Sequence, residues 1–198
     1  MSQQEFWNNK FSREGYLYGT KPNSFIASKV KTFPRNAKVL CLGEGEGRNA
    51  VFLAKRGFEV TAIDASDIGL SKLHFRALEE GVTVETICVD LKDWEVKETY
   101  DVIVASYLHL YKEDRAKLFE KIQDSLRPDG LFVGEFFSTK QLNYDSGGPK
   151  DEELLYTVDD FKKGFALYQN DIKEVVTILD EGRGHQGEAS VIRVMVEN

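Results

Sequence analysis

The sequence predicts an α/β fold of three layers, in which a doubly wound, mostly parallel sheet carries helices on both faces. Two observations predict it. Apolar runs rich in Val, Ile and Phe alternate with helical patterns, as a parallel sheet wrapped by helices requires. The first of these runs breaks into the glycine-rich turn LGEGEG, which leads directly into a helix.

In order, AKVLCL is the first strand, interrupted by Gly43, Gly45 and Gly47. A helix follows through Asn49 and Leu53, with Lys55 and Arg56 in its last turn and Gly57 as its C-cap. FEVTAID is a second strand ending on Asp64. Ser66 caps the next helix, whose apolar face is Leu70, Leu73, Ala77 and Leu78, and Gly81 ends it. VTVETICVD and YDVIVASYL are the third and fourth strands. RAKLFEKIQDSL is an amphipathic helix stopped by the turn Arg127–Gly130, and LFVGEFF is the fifth strand. The stretch 138–150 reads as a surface loop, and TVDDFKKGF as a short helix capped by Thr157. IKEVVTIL and ASVIRVMVE close the chain as two further strands separated by a polar loop, making seven in all.

A chain of 198 residues fits one compact domain with a substantial core. Its net charge of −7 argues against a nucleic-acid partner, because phosphate neutralisation needs a basic face. The N-terminus lacks the apolar core of a signal peptide, and no apolar stretch approaches the roughly 20 residues that span a bilayer. Cys41 and Cys88 lie in apolar strand-like runs and read as buried, reduced thiols of a cytoplasmic protein. With no CxxC pair and no HxxxH, no metal site is expected.

A doubly wound sheet binds its ligand at the carboxyl ends of its strands, where the winding reverses. Those ends fall near residues 43, 64, 90 and 106. A dinucleotide fingerprint spaces its glycines GxGxxG and rests a pyrophosphate on the helix N-terminus. Here the spacing is GxGxG, and Arg48 takes the place of the third glycine. Glu44 and Glu46 in the same turn would repel a pyrophosphate, whereas S-adenosylmethionine presents a sulfonium and an ammonium. A nicotinamide-dependent oxidoreductase is therefore the weaker reading. Asp64 is placed to accept from both ribose hydroxyls, and Asp90, followed by Leu91, to accept from the adenine amino group.

The runs VLCLGEGEGRNAVFLA, VTAIDAS, VDL, YDVIVASY and LRPDGLFV resemble the successive motifs of class I S-adenosylmethionine-dependent methyltransferases. FWNNKFSREGYLYGTKP and the tail EGRGHQGEASVIRV resemble, more narrowly, the small-molecule methyltransferases of the tellurite-resistance and thiopurine-methylating group. The resemblance implies a single Rossmann-like domain whose seven-stranded, mostly parallel sheet has an antiparallel last strand. It implies a helical cover segment over residues 1–33 and a core over residues 34–198. Gly43, Gly45 and Gly47 would approach the methionine part of the cofactor, Asp64 the ribose, Asp90 the adenine and Ser106 the sulfonium end. Tyr18, Glu44, Asn49, Ala65 and Leu91 complete the implied cofactor surface. Cys41 departs from the family pattern, which often has an acid there, and Glu44 is the residue expected to supply that charge.

Methyl transfer is an in-line displacement, so much of the catalysis comes from alignment. The implied acceptor is a small molecule, with thiol, selenium and tellurium compounds among the candidates because soft nucleophiles need no strong base. His109, after the fourth strand, is a candidate for proton handling or a packed core residue. His185, in the polar loop before the last strand with Arg183 nearby, is either an acceptor-pocket residue or a solvated one, and His74 reads as a surface residue. Tyr16 and Tyr18 can close the pocket by cation–π attraction to a sulfonium or anchor the segment on the core. Arg13 and Arg193 are candidates for an anionic acceptor. A non-catalytic S-adenosylmethionine sensor and a protein methyltransferase remain the alternative functions.

Overall fold

The computed structural model of the protein describes residues 1–198. Seven strands form one sheet: β1 (Lys38–Leu42), β2 (Glu59–Asp64), β3 (Glu85–Cys88), β4 (Tyr100–Ser106), β5 (Leu126–Phe137), β6 (Gln169–Glu181) and β7 (His185–Glu197). They lie in the order β3-β2-β1-β4-β5-β7-β6. Strands β1 to β5 pair in parallel, while β7 runs antiparallel to both β5 and β6. The doubly wound class and the antiparallel last strand are thus as expected.

Alternation along the central strands builds a core on each face. Leu40, Leu42, Ile63, Ile103 and Phe132 point to one side and pack with Leu118, Phe119 and Ile122 of α5 (Lys112–Ser125) and Phe161 of α6 (Val158–Gly164). Val39, Cys41, Ala62, Val102 and Val133 point to the other. There they meet α2 (Ser24–Lys29), α3 (Arg48–Ala54) and α4 (Asp67–Glu79). Strands buried on both faces must be apolar at almost every position, which is why their sequences lack a polar stripe. The first helix, α1 (Gln3–Phe11), starts from a capping box between Ser2 and Glu5 and lies against α4.

Several elements differ from their sequence reading. Leu78 is 62% exposed, and its expected place is taken by Arg76, whose buried guanidinium donates to the Thr20 carbonyl at 2.5 Å. The third strand contracts to four residues at the sheet edge, leaving Cys88 exposed rather than buried; only Cys41 is enclosed. The Arg127–Gly130 turn lies inside β5 as an irregularity in its pairing with β4, with Asp129 at φ 62°. The 138–150 stretch is not simply a surface loop. Gln141 is buried, donates to Ser146 Oγ at 2.9 Å and accepts from the Ser190 amide at 2.8 Å, which pins the segment to β7. The last two strands run longer than expected, so His185 opens β7 instead of lying in a solvated loop.

Candidate active site

A cleft of about 980 Å³ opens at the carboxyl ends of β1, β2 and β4, beside the point where the winding reverses. Its floor begins at the glycine turn. Gly43, Gly45 and Gly47 have φ of 59°, 60° and 86°, a region that disfavours any side chain. Space forbids one as well: a Cβ on Gly43 would stand 2.5 Å from Leu108 Cδ1, and one on Gly45 would stand 2.8 Å from Phe11 Cζ. The turn is pressed from above by α1 and by the chain that leaves β4.

Both acids of the turn have protein partners. Glu44 Oε1 accepts from the Asn49 and Ala50 amides at 2.8 and 2.7 Å, satisfying donors that α3 leaves free at its N-terminus. Burial nevertheless pushes the Glu44 carboxyl up to about 7. Glu46 pairs with Lys72 Nζ at 2.7 Å and accepts from the Leu17 amide at 2.7 Å, so it anchors the N-terminal segment. Asp64, at the end of β2, accepts from the Gly45 and Ser66 amides, each at 2.8 Å. Burial pushes its carboxyl up to about 6. Asp90 accepts from the Lys92 amide at 3.0 Å and lines the cleft with Ala65 and Leu91.

Every residue expected at the cofactor surface lines this cleft except Asn49. Asn49 lies behind the wall, where its amide donates to Ser106 Oγ at 3.0 Å and its carbonyl accepts from the Asn23 backbone at 2.8 Å. It is a strut rather than a contact surface, because its side chain is consumed by the two segments it joins.

The two candidate histidines also line the cleft. His109 is half-buried against Trp7, ring centres 5.2 Å apart, and desolvation pushes it down to about 3, so it is neutral. His185 is packed among Tyr18, Tyr107 and Phe137, with ring centres 4.4, 4.5 and 5.1 Å away. Burial lowers its affinity for a proton, and Glu181, with Oε2 3.8 Å from Nδ1, partly opposes that. Arg48 Nη1 lies 2.9 Å from the same oxygen. The Nη1 of Arg48, the Nδ1 of His185 and the Oε2 of Glu181 are buried without a well-formed hydrogen bond.

Of the remaining candidates, Tyr18 lines the cleft, whereas Tyr16 stands outside it, its ring near Arg76 and Lys72. His74 is exposed, as expected, and Arg13 is exposed away from the cleft. Arg193 does not line the cleft; its Nε donates to Glu135 at 2.7 Å and its guanidinium lies over Phe25. Sequence reasoning missed Trp7 and Phe11, whose four-residue spacing on α1 is a visible helical face. It also missed the partner of Arg48, since nothing in the chain near residue 48 points to Glu181.

Residues 39–130 match the methyltransferase domain family. The chain is 28% identical over 145 residues to a protein named as a methyltransferase in Geobacillus sp. (strain WCH70), covering 70% of this chain and 58% of that protein. It is 28% identical over 95 residues to TehB of Haemophilus influenzae (strain 10810), named as an S-adenosyl-L-methionine-dependent methyltransferase, covering 47% of this chain and 33% of TehB. The matched segments thus span less than two thirds of these relatives' length. In three dimensions the crystal structure of TehB from Haemophilus influenzae superposes with a TM-score of 0.74 at 17% identity, over 100% of this chain and 67% of that one. The N-methyltransferase NodS from Bradyrhizobium japonicum WM9, solved with S-adenosyl-L-homocysteine, gives 0.73 at 12% identity over 100% and 99%. The methyltransferase-domain match thus falls on residues 39–130, the part that carries the glycine turn, Asp64 and Asp90, and the chain as a whole shares the fold of TehB and NodS.

Proposed function

We propose that the protein transfers the methyl group of S-adenosylmethionine to a small, soft acceptor held at the aromatic end of the cleft. The observation that carries this reading is the cleft itself, which runs from the glycine turn and Asp64 at one end to Tyr18, Tyr107 and His185 at the other.

The residues fit the cofactor. Two buried carboxylates, Glu44 and Asp64, face the cleft with their proton affinity raised by burial, and a cation beside them relieves that cost. Each oxygen of Asp64 accepts one backbone amide and keeps a second lone pair for a ribose hydroxyl. Asp90 would take the adenine amino group, with Ala65 and Leu91 beside it, and the turn Gly43–Gly47 with Glu44 the methionine part. Ser106 and Tyr18 would stand at the sulfonium end. When bound, the cofactor supplies an activated methyl group. The chain's own residues align the acceptor with it and, through Trp7, Phe11 and Tyr18, keep water out.

No group at the acceptor end is prepared to act as a strong base. His109 is desolvated and neutral, burial lowers His185, and the Tyr18 phenol is pushed up to about 12, chiefly by burial. This supports an acceptor that is nucleophilic without help, such as a thiolate, a selenol or a tellurium oxyanion. We assign His185 and Arg48 to orienting it and His109 to the wall against Trp7. The test is calorimetry with S-adenosylmethionine, S-adenosylhomocysteine and NAD, followed by labelled cofactor and a panel of thiol, selenium, tellurium and phenol acceptors. We expect binding of the first two and transfer to a soft acceptor. Binding of NAD alone overturns the cofactor assignment, and transfer only to phenols overturns the acceptor class.

A further inference from the structure

The five consecutive residues Tyr107 to Tyr111 all line the cleft, yet they form neither helix nor strand. Their path is set at Tyr107, whose φ of 51° lies in the left-handed region. A bulky aromatic residue rarely adopts that region, and it persists there only when the surroundings hold it. Here the hold is visible and comes mainly from one residue. The Tyr107 amide donates to the Glu135 carbonyl at 2.8 Å, and the Tyr107 hydroxyl donates to Glu135 Oε1 at 2.7 Å. Phe137 stacks on the ring at 4.6 Å.

Glu135 is fully enclosed within β5, with two further partners. Asn23 Nδ2 donates to Oε1 at 2.9 Å, and Arg193 Nε donates to Oε2 at 2.7 Å. Asn23 is the N-cap of α2, in the segment that precedes the sheet. One carboxylate therefore ties the N-terminal segment, the sheet and the turn after β4. Downstream of the held residue, Leu108 is laid over Gly43 and His109 is turned into the cleft against Trp7.

Building on the methyltransferase reading, we propose that Glu135 and Tyr107 are positioning residues that fix the acceptor wall, residues 107–111, in its strained path. Cofactor-side groups, chiefly Asp64, Ala65 and Asp90, do not touch this clamp. Tyr107→Phe keeps the ring and its stacking but removes the hydroxyl from Glu135. Glu135→Gln keeps an oxygen for that hydroxyl but turns an NH2 toward the Arg193 Nε that donates to Oε2, so it breaks the clamp from its other side.

Two readouts on the full chain test this. The first needs no acceptor: with only three histidines in the sequence, the ring resonances of His109 can be followed by NMR. In Tyr107→Phe they should shift and broaden, and the His109 titration should move up toward the ordinary histidine range; Glu135→Gln, which sets an NH2 against the Arg193 donor, should shift them in the same sense. The second is the KM for thiophenol with labelled cofactor. It should rise about tenfold in Tyr107→Phe, as for one lost bond to a charged acceptor, with kcat and the S-adenosylhomocysteine Kd within about twofold. Unchanged His109 resonances in Tyr107→Phe overturn the clamp, as does an equal loss of S-adenosylhomocysteine affinity. Failure of the wild-type chain to bind S-adenosylhomocysteine instead sinks the methyltransferase reading, and the His109 resonances still decide the clamp.

Discussion

Glu44 and Asp64 hold protons that ordinary carboxyls would have released, Glu44 going from 4.5 to about 7 and Asp64 from 3.8 to about 6, mainly through burial. Between pH 4.5 and about 7 for Glu44, and between pH 3.8 and about 6 for Asp64, the group is ionised in the unfolded chain and still largely protonated in the native one. Each therefore contributes less stability as pH rises through that window. A cationic ligand reverses the sign by favouring the ionised form, so cofactor binding should expel protons and tighten from pH 6 to 8. Calorimetry at pH 6.5 in two buffers of different ionisation enthalpy measures this, and proton-neutral binding would remove Glu44 from the cation's surroundings. Asp64→Ala should weaken cofactor binding by about 1.5–3 kcal/mol, as for a lost charge-assisted hydrogen bond; an unchanged Kd excludes Asp64. That Asp64, Asp90 and the glycines line the cleft was legible because strand ends in this fold class open onto it. Asn49 and Glu46 were not, since their partners Asn23, Ser106 and Lys72 are distant in sequence.

At the scale of elements, caps and turns were read where a short-range signal exists. Ser66 accepts from the Gly69 amide at 2.9 Å, and Thr157 forms a capping box with Asp160. Thr157→Ala should cost about 1 kcal/mol in urea unfolding and leave S-adenosylhomocysteine affinity unchanged, because no residue of α6 lines the cleft. Edges were read poorly. A run such as VTVETICVD looks continuous, but β3 has one neighbour, and its register with β2 ends at Cys88 opposite Asp64. Cys88 is therefore exposed, and a thiol reagent should modify one cysteine of the native protein and two after denaturation. Leu78 fitted the apolar periodicity of α4, yet the stripe narrows there and Arg76 turns inward to reach the Thr20 carbonyl. No propensity rule anticipates a buried arginine whose acceptor lies 56 residues earlier.

At the scale of the whole molecule, the sheet order and the antiparallel strand were legible because alternating β and α elements leave few ways to wind a chain. A helical cover was implied by the resemblance, but the contacts that seat α1 were not legible, since they depend on Trp7 and Phe11 meeting surfaces made by three other segments. Phe11 is 3% exposed and covers both Gly45 and Gly69. That arrangement bears on traffic as well as on affinity. A ligand seated on the glycine turn lies beneath a nine-residue helix, so its escape waits for that helix to lift. Residence time, rather than encounter rate, should carry the mark of α1. Phe11→Ala should shorten the lifetime of the S-adenosylhomocysteine complex by about tenfold in stopped-flow displacement, with the association rate nearly constant. Product exchange would then be paced by a hinge of the chain outside the reaction chemistry, and turnover would rise with whatever loosens α1 until the cleft admits water.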